Sequence, residues 1–352
     1  MWFTSDNAGP AHPSVLDAVT RASTGYMSSY GSDPIMADVR ARMREIFEAP
    51  EAEIFLVATG TAANVLALAC LCPPWATVYC HEVAHIEEDE CGAPEFYTGG
   101  AKLSLLPGLD GKIDAAALAA KIESTPTDFV HHVGRGALSL TQVTERGAVY
   151  SLDELRALCA IAKSGGIPVH LDGARFANAL VSLGCSPAEM TLKAGVDAVS
   201  FGGTKNGLMG VEAVVLFDPS KAWEFERRRK RGAHLFSKHR YLSAQMQAYL
   251  ADDLWLTMAR DANARARRLA DGLRDLPEAD FLHPVDANML FVALPRRIHD
   301  ALHAAGAHYY FWPGDPAPEG PADEMLACRL VCGWSTTEAE IDAFVGVVRD
   351  AA

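Results

Sequence analysis

Lys205 stands in a setting that suits covalent chemistry. It follows the apolar run 198–201 and two glycines, so we expect a strand to end there and a glycine-rich loop to present the lysine. A lysine partly removed from water loses its proton more easily and can form an imine with a carbonyl cofactor. Many surface loops also carry a lysine, so a solvated loop is the alternative for this segment taken alone.

Asp172 occupies a comparable position at the end of the short apolar run 168–171. Ligands of open α/β sheets gather at the carboxyl ends of strands, so we expect Asp172 and Lys205 to face one crevice. Pyridoxal phosphate needs both groups, because a lysine holds its aldehyde and a carboxylate keeps its ring nitrogen protonated. For Asp172 alone, the alternative is an N-cap of the helical run that follows it.

A third segment, Thr59-Gly60-Thr61, separates an apolar stretch from an alanine- and leucine-rich run. A helix that begins there directs free amides and its positive dipole end at a ligand, which suits a phosphate. The candidate donors are the amides of Gly60 and Thr61 and the Thr61 hydroxyl. The Walker and dinucleotide-binding spacings are both absent, and a plain strand-turn-helix junction is the alternative.

A phosphate-binding helix start, then an aspartate, then a lysine is the chain order of the fold type I family of pyridoxal phosphate enzymes, and this sequence resembles that family. Within that group the sequence is similar to the L-threonine aldolases, including the phenylserine aldolase branch. The resemblance rests on segments within residues 4–210, and the remainder of the chain fits more loosely. The matching segments are Thr4-Ser5-Asp6-Asn7, Tyr30-Gly31-Ser32-Asp33, Thr59-Gly60-Thr61-Ala62-Ala63-Asn64, Ala84-His85-Ile86-Glu87-Glu88-Asp89-Glu90-Cys91-Gly92-Ala93-Pro94-Glu95, His170-Leu171-Asp172-Gly173-Ala174-Arg175 and Ser200-Phe201-Gly202-Gly203-Thr204-Lys205-Asn206-Gly207.

The resemblance implies retro-aldol cleavage of threonine, allo-threonine or another β-hydroxy-α-amino acid, such as phenylserine, to glycine and an aldehyde. Lys205 would hold pyridoxal 5'-phosphate and Asp172 would face its ring nitrogen. His85 would stack on the ring and lie near the substrate hydroxyl, where it or a water takes the proton. A histidine satisfied in a loop is the alternative for His85. An aminotransferase or a glycine hydroxymethyltransferase is the alternative for the whole chain.

The resemblance also implies how an amino acid would be gripped. Arg175, which would also contact the cofactor, and Arg329 would lie near the substrate carboxylate, and Ser5 would add a hydroxyl. A salt bridge at a strand edge is the alternative for Arg329. Arg229 lies within the basic run 227–231 and would reach the cofactor phosphate of a neighbouring subunit. This role requires a homodimer or homotetramer with shared sites. A solvated helix face is the alternative for this run.

Two features concern the pocket around the substrate. Tyr30 and the aromatic run 308–312 are candidates for an aromatic-tolerant pocket, although the run equally suits a core. Some threonine aldolases carry a Thr-His pair in the loop that here spans 140–147. The second histidine is therefore absent or replaced by Thr144, and preference between hydroxyl epimers is open. Of His131 and His132 just upstream, we expect one merely to pack.

A competing motif must be weighed, because His81-Glu82-Val83-Ala84-His85 matches the H-E-x-x-H pattern of zinc peptidases. The pattern binds zinc only on a helix, where positions i and i+4 share one face. The run 77–80 predicts a strand entering the segment, which argues against that helix. A zinc hydrolase, or a noncatalytic binding domain, stays as a minor alternative, and we predict no metal.

Composition limits the class of protein. The 352 residues are 49% hydrophobic and 22% charged, as in ordinary globular proteins. The net charge of −14 and pI near 5.3 argue against nucleic acid or anionic membrane partners. The small amino acid substrate is what the resemblance implies. Eight cysteines without a C-x-x-C pair indicate buried thiols. With no signal-peptide core in the first twenty residues, and an apolar run at 62–72 too short for a bilayer, we expect a soluble cytoplasmic protein.

The elements that must position these residues alternate short β-rich runs with alanine-rich helices. This pattern predicts an α/β fold, with a mainly parallel sheet covered by helices and a smaller α+β carboxy-terminal domain. The expected domains are an arm at 1–15, a large domain at 16–235 and a small domain at 236–352. The expected strands lie near 54–57, 77–80, 129–133, 168–171, 198–201, 213–217, 289–292 and 328–332, and the expected helices span Pro13 to Ala22, Ile35 to Phe47, Ala115 to Ile122, Leu152 to Lys163, Pro187 to Ala194 and Tyr241 to Leu276.

Overall fold

Two β-sheets organise the chain, which a computed structural model describes over residues 1–352. The larger sheet has the order β1-β7-β6-β5-β4-β2-β3, in which β7 runs antiparallel to both neighbours and the other pairs are parallel. Its strands are Glu53–Val57 (β1), Ala76–His81 (β2), Lys102–Leu106 (β3), Gly134–Thr141 (β4), Val169–Gly173 (β5), Ala198–Phe201 (β6) and Glu212–Leu216 (β7).

The smaller sheet is antiparallel, with the order β10-β11-β9-β8. Its strands are Asp280–Phe281 (β8), Met289–Pro295 (β9), Tyr310–Phe311 (β10) and Met325–Val331 (β11). The α-helices are Pro13–Ala22 (α1), Pro34–Ile46 (α2), Gly60–Leu71 (α3), His85–Glu88 (α4), Ala93–Thr98 (α5), Ala115–Ser124 (α6), Leu152–Ser164 (α7), Phe176–Leu183 (α8), Pro187–Met190 (α9), Ala222–Arg231 (α10), Arg240–Leu250 (α11), Leu254–Arg274 (α12), Arg296–Ala304 (α13) and Glu338–Ala351 (α14). No helix is both long enough and apolar enough to cross a bilayer.

The central strands explain why the sequence shows short apolar runs rather than alternation. Every residue of β2, β5, β6 and β7 is buried, because helices cover both faces of the sheet. Polar residues within these strands include His170, whose imidazole lies 3.0 Å from Ser139 Oγ and 2.9 Å from Ser200 Oγ. Asp172 is a carboxylic acid buried in the same layer, near the carboxyl end of β5, and marks a candidate site.

The amino-terminal arm connects the two sheets. The Phe3 amide donates to the His308 carbonyl, and the Val331 amide donates to the Phe3 carbonyl, so the arm pairs with the small sheet. Further along, the His12 amide donates to the carbonyl of Gly207 beside the lysine loop. Residues 4–8 are thereby carried from the small sheet to the carboxyl edge of the large one.

Two hydrophobic cores lie under the two sheets. The larger core takes in residues of α11 and the first half of α12, from Leu242 to Ala259. The smaller core includes Ala266 in the second half of the same helix, Phe344, and alternate residues of β9 and β11, namely Leu290, Val292, Leu294, Cys328 and Leu330. Packing thus changes from one core to the other within α12, and the domain boundary at residue 236 stays a prediction.

Most of the predicted elements are confirmed, including the α/β class, and the exceptions have physical causes. The predicted strand at 129–133 is wrong, because these residues form a turn and β4 begins only at Gly134. Val130 is 92% exposed, so its apolar character does not mark a buried strand. The predicted helix from Tyr241 to Leu276 is interrupted at 251–253, where Asp252 and Asp253 have positive φ. Strand β3 lies at the sheet edge and is only partly buried, which weakened its signal.

Candidate active site

Lys205 follows β6 on a tight turn that only glycine permits. A Cβ on Gly202 would lie 2.2 Å from the Ala174 carbonyl oxygen, and one on Gly203 would lie 2.7 Å from the Val211 carbonyl oxygen. Asn206 then anchors the turn, because its Nδ2 donates to the Tyr249 hydroxyl at 2.8 Å. The lysine is thus held on a rigid loop at the carboxyl edge of the sheet.

The charges around Lys205 favour a reactive amine. Burial lowers the pKa of Lys205 below its ordinary value, and the nearby Arg175 guanidinium lowers it further. The carboxylates of Asp6, Asp172 and Glu212 act in the opposite direction. Because the net direction is downward, a larger fraction of the amine is neutral at a given pH, as a nucleophilic lysine requires.

Glu212 supports the same loop from β7. Its Oε2 accepts the Gly203 amide at 2.6 Å, and the carboxyl is fully enclosed. Burial raises the pKa of Glu212 to about 7, in spite of the hydrogen bonds and the Lys205 charge that lower it. Glu212 is therefore a buried titratable group that fixes the lysine turn.

Asp172 ends β5 in register with Ser200 of β6, which places it beside the strand that leads to Lys205. Its Oδ1 accepts the Ala174 amide at 2.9 Å, and its Oδ2 accepts Asn64 Nδ2 at 2.8 Å. The alternative of a helix N-cap is wrong, because α8 begins at Phe176 and Arg175 occupies its N-cap position. Asp172 is a buried carboxylate held in place from both sides.

A chain of hydrogen bonds extends from Asp172 to His85. The Nδ2 of Asn64 is shared between Asp172 and Glu90 Oε1, at 2.8 and 2.9 Å. The same Glu90 oxygen lies 2.8 Å from His85 Nδ1. The Glu90 bond raises the pKa of His85, and burial opposes it. The ring is 36% exposed and its Nε2 is left free, so His85 is oriented and open to a ligand.

Glu145 approaches His85 from the other side. Its Oε1 accepts the His85 backbone amide at 2.8 Å, at the first residue of α4. Burial raises the pKa of Glu145 to about 7. Of the two expectations for this loop, a second histidine that is absent or one that is replaced by Thr144, the structure favours the first, because the Thr144 hydroxyl donates to the Asp110 carbonyl at 2.7 Å. The residue that faces His85 in this loop is Glu145.

The start of α3 has the features expected of a phosphate site. Thr59 is the N-cap and accepts the Ala62 amide at 3.1 Å. The amides of Gly60 and Thr61 are among the first of the helix, which have no intrahelical acceptor. A Cβ on Gly60 would meet no atom within 4 Å, so the space beside these donors is open.

The amino-terminal arm contributes a residue that the sequence did not single out. Asp6 receives a bidentate pair from Arg175, at 2.7 Å to Nε and 2.9 Å to Nη2, and a third bond from Asn288 Nδ2 at 3.0 Å. Burial alone would raise the pKa of Asp6, but Arg175 and Lys205 outweigh it and hold the pKa below its usual value. Arg175 is therefore fixed within reach of the lysine.

Arg329 lies on β11 next to the arm. Its Nη2 donates to the Thr4 carbonyl at 3.3 Å, its Nε is buried without a partner, and its guanidinium carbon lies 5.6 Å from the centre of the Tyr310 ring. Burial lowers the pKa of Arg329, and the positive charge of Arg175 lowers it further, so the two arginines are neighbours. Ser5, between Thr4 and Asp6, accepts the Asn7 amide and lies on the same arm.

Other predicted residues lie elsewhere. Arg229 is buried and turned into its own chain, where it donates to the Leu56 carbonyl at 3.1 Å and to Glu226 at 2.7 Å; a role at a neighbour's cofactor phosphate stays a prediction. Tyr30 is 47% exposed and carries Lys230 over its ring at 5.0 Å. The exposed pair His131 and His132 contacts Phe129 at the amino end of β4, away from its carboxyl end.

The zinc alternative fails on geometry. His81 is the last residue of β2, and His85 is the first residue of α4, so the two imidazoles do not share a helix face. His81 Nδ1 instead accepts the Val83 amide at 3.1 Å.

The residues of the aromatic run 308–312 do not share one environment. Tyr309 is a core residue, whereas Trp312 lies under Arg146, with the guanidinium carbon 4.1 Å from the ring centre.

The site residues fit pyridoxal phosphate. A lysine with a lowered pKa, a buried carboxylate and an open helix start are held at one edge of the sheet, and Asn64 Oδ1 and Glu90 Oε2 are buried without partners beside them. The sequence missed Glu90, Glu145 and Glu212 as site residues. The first lies in a matching segment of the family, and nothing local distinguished the other two.

Fold and candidate site together define an α/β enzyme of the fold type I group. The family model of the beta-eliminating lyases matches residues 3–295, and the chain belongs to that family. It is 41% identical to the low specificity L-threonine aldolase of Pseudomonas aeruginosa, over 95% of this chain and 93% of that protein. It is 38% identical to the low specificity L-threonine aldolase of a Pseudomonas species, over 99% and 96% of the two chains. The predicted resemblance is thus confirmed.

Solved structures agree. The threonine aldolase of Leishmania major superposes with a TM-score of 0.91 at 27% identity, over 99% of this chain and 98% of that one. Serine palmitoyltransferase of Sphingomonas wittichii, at 16% identity, has a TM-score of 0.71 over 100% of this chain and 86% of that one, and shares the fold.

Proposed function

We propose that this protein cleaves L-β-hydroxy-α-amino acids, with threonine, allo-threonine and phenylserine as candidates, to glycine and an aldehyde, using pyridoxal phosphate. The observation that carries the proposal is the hydrogen-bonded chain from Asp172 through Asn64 and Glu90 to His85, which lies close enough to Lys205 for the Asp172 charge to act on the pKa of Lys205 and the Lys205 charge to act on that of His85. An amine, a carboxylate and an imidazole are then held near one another. Relatives named threonine aldolase along nearly the full length support the same reaction.

When bound, pyridoxal phosphate supplies an aldehyde that captures an amino group and a ring that accepts the electron pair released on carbon–carbon cleavage. Lys205 would hold that aldehyde, and its lowered pKa suits it to do so. Asp172 would hold a proton at the ring nitrogen, and Asn64 keeps the Asp172 carboxylate directed. The amides of Gly60 and Thr61 and the Thr61 hydroxyl would receive the phosphate.

The reaction also needs a group that takes the proton from the substrate hydroxyl. His85 suits this task because Glu90 fixes Nδ1 and leaves Nε2 open. The raised pKa of His85 means that the imidazole retains a proton once it has taken one. Glu90 thus orients the ring and stabilises its charged form.

Two arginines, Arg175 and Arg329, would bind the substrate carboxylate. Arg329 is a free candidate, because its Nε has no partner within the chain. Arg175 already gives two donors to Asp6, so it would offer the substrate its remaining Nη1. Ser5 would add a hydroxyl from the arm.

Assembly and location are part of the proposal. A homodimer or homotetramer with shared sites would cover exposed aromatic side chains such as Phe96, at 78%, and Trp223, at 66%. All eight cysteines are free thiols, six of them buried, which suits a reducing compartment such as the cytoplasm.

The test is aldehyde release from each substrate, with cofactor added and without folate or a keto acid. We expect turnover by the protein, and none by Lys205→Ala. Lys193→Ala is the matched control, because Lys193 forms an exposed ion pair with Glu48. Turnover that requires tetrahydrofolate would indicate a glycine hydroxymethyltransferase, and turnover that requires a keto acid an aminotransferase; either result would overturn the proposal.

A further inference from the structure

The loop that follows β4 brings a second carboxylate to His85. Glu145 Oε1 accepts the backbone amide of His85 at 2.8 Å, whereas Glu90 Oε1 lies 2.8 Å from the ring Nδ1. The N-cap residue of α4, Ala84, offers no side-chain acceptor, and Glu145, sixty residues away in sequence, accepts one of the free amides at the start of this helix. The histidine is therefore held at two points by two different acids.

The loop itself is firmly held, so the position of Glu145 is defined. Thr144 bonds the Asp110 carbonyl and accepts the Ala148 amide at 3.1 Å. Gln142 exchanges two hydrogen bonds of 2.9 Å with the backbone of Tyr150. The Arg146 guanidinium stacks on the ring of Trp312, which directly follows β10. A loop tied on both flanks does not need Glu145 for its own conformation.

The surroundings of the Glu145 carboxyl contain little that would neutralise it. It faces Cys80 of β2, Thr141 of β4, Asp172 of β5 and Tyr150, with Arg146 as the charged neighbour of opposite sign. Its Oε2 is buried and has no hydrogen-bond partner of normal geometry, although the Thr141 hydroxyl and the Glu145 backbone amide act to lower the pKa of the carboxyl. A buried acid with an unused oxygen is costly to ionise, so its presence beside His85 calls for a functional reason.

We propose that Glu145 is a positioning residue for His85, which fixes the start of α4 and, in its ionised form, favours the protonated imidazole during proton transfer. The inference rests on the proposed function, since it concerns the same proton. Glu90 fixes the orientation of the His85 ring, and Glu145 fixes the position of the His85 backbone. Glu145 does not touch the ring, so its ionisation changes the field at His85 without changing the ring's own hydrogen bond.

Two variants separate position from charge. Glu145→Ala removes both the acceptor and the charge, and we expect kcat for aldehyde release to fall about tenfold with KM changed less than about twofold. Glu145→Gln keeps an acceptor for the His85 amide, so we expect a smaller loss, about threefold, at neutral pH. Glu145→Gln should also move the pKa that governs kcat downward, because the imidazole loses the nearby negative charge.

The control is Glu87→Gln, which removes an exposed charge from the same short helix and should leave both kcat and its pH profile unchanged. Cofactor absorbance of each variant confirms a folded, loaded enzyme, and the isosteric glutamine variant keeps the test open should the alanine variant not fold. If wild type is active but both Glu145 variants match it in kcat and pH profile, this inference fails alone. If wild type releases no aldehyde, the proposed function fails first.

Discussion

Replacing Glu212 with glutamine tests whether a buried acid supports the lysine loop. The glutamine oxygen can still accept the Gly203 amide, which Glu212 accepts at 2.6 Å, but it carries no charge. In the folded protein the pKa of Glu212 lies at about 7, against an ordinary value of 4.5, because the carboxyl is buried. A carboxyl whose pKa is raised by folding binds its proton more tightly in the folded state, so ionising it costs stability.

The sign and size of the effect follow from these two values. Below pH 4.5 the acid is protonated in both states and costs nothing; as pH rises from 4.5 to 7 the folded state loses stability, and above 7 the loss is constant. At 1.36 kcal/mol per pH unit, the full loss is about 3 kcal/mol. The Glu212→Gln variant should not show this loss of stability, because glutamine does not ionise.

The assay is urea unfolding of both proteins between pH 4.5 and 8, at one cofactor concentration. We expect the free energy of unfolding of the variant, relative to wild type, to increase by about 3 kcal/mol across this range. Glu51→Gln, at an exposed position, is the control and should show no such trend. A difference between variant and wild type that stays constant with pH would refute the claim that burial raises the pKa of Glu212.

Two further substitutions test how the site is built. Asn64→Leu leaves the buried carboxylates of Glu90 and Asp172 without their shared donor, so we expect a loss of about 3 kcal/mol in the free energy of urea unfolding at pH 7, and a loss below 1 kcal/mol would contradict the shared bond. Thr59→Ala removes the N-cap bond to the Ala62 amide and should cost about 1 kcal/mol in the same assay, with Thr59→Ser restoring most of it; equal stability of all three proteins would count against the cap.

Local sequence signals identified the residues that a single strand or turn can present. Lys205 and Asp172 each follow a buried apolar run, and their neighbourhood follows from the parallel pairing of β5 and β6. The acids that hydrogen-bond to Asn64 and His85 could not be predicted from local signals. Glu90 meets Asn64 across 26 residues and Glu145 meets His85 across 60, so only the folded chain brings them together.

The choice left open at Thr144 has the same origin. In a loop of mixed polar residues, which side chain faces inward depends on turns that are set by distant contacts, here the Asp110 carbonyl that takes the Thr144 hydroxyl. The wrong strand at 129–133 reflects apolar residues that lie exposed in a turn. A run of apolar residues predicts a buried strand only where those residues are in fact removed from water.

The bond expected at Lys205 can be measured directly. The protein is treated with borohydride in the presence of pyridoxal phosphate, digested, and its peptides are weighed by mass spectrometry. The peptide that contains Lys205 should gain the mass of one reduced cofactor, and Asp172→Asn should shift the absorbance of the untreated protein. Modification of another lysine instead, with Lys205 unmodified, would contradict the site described here.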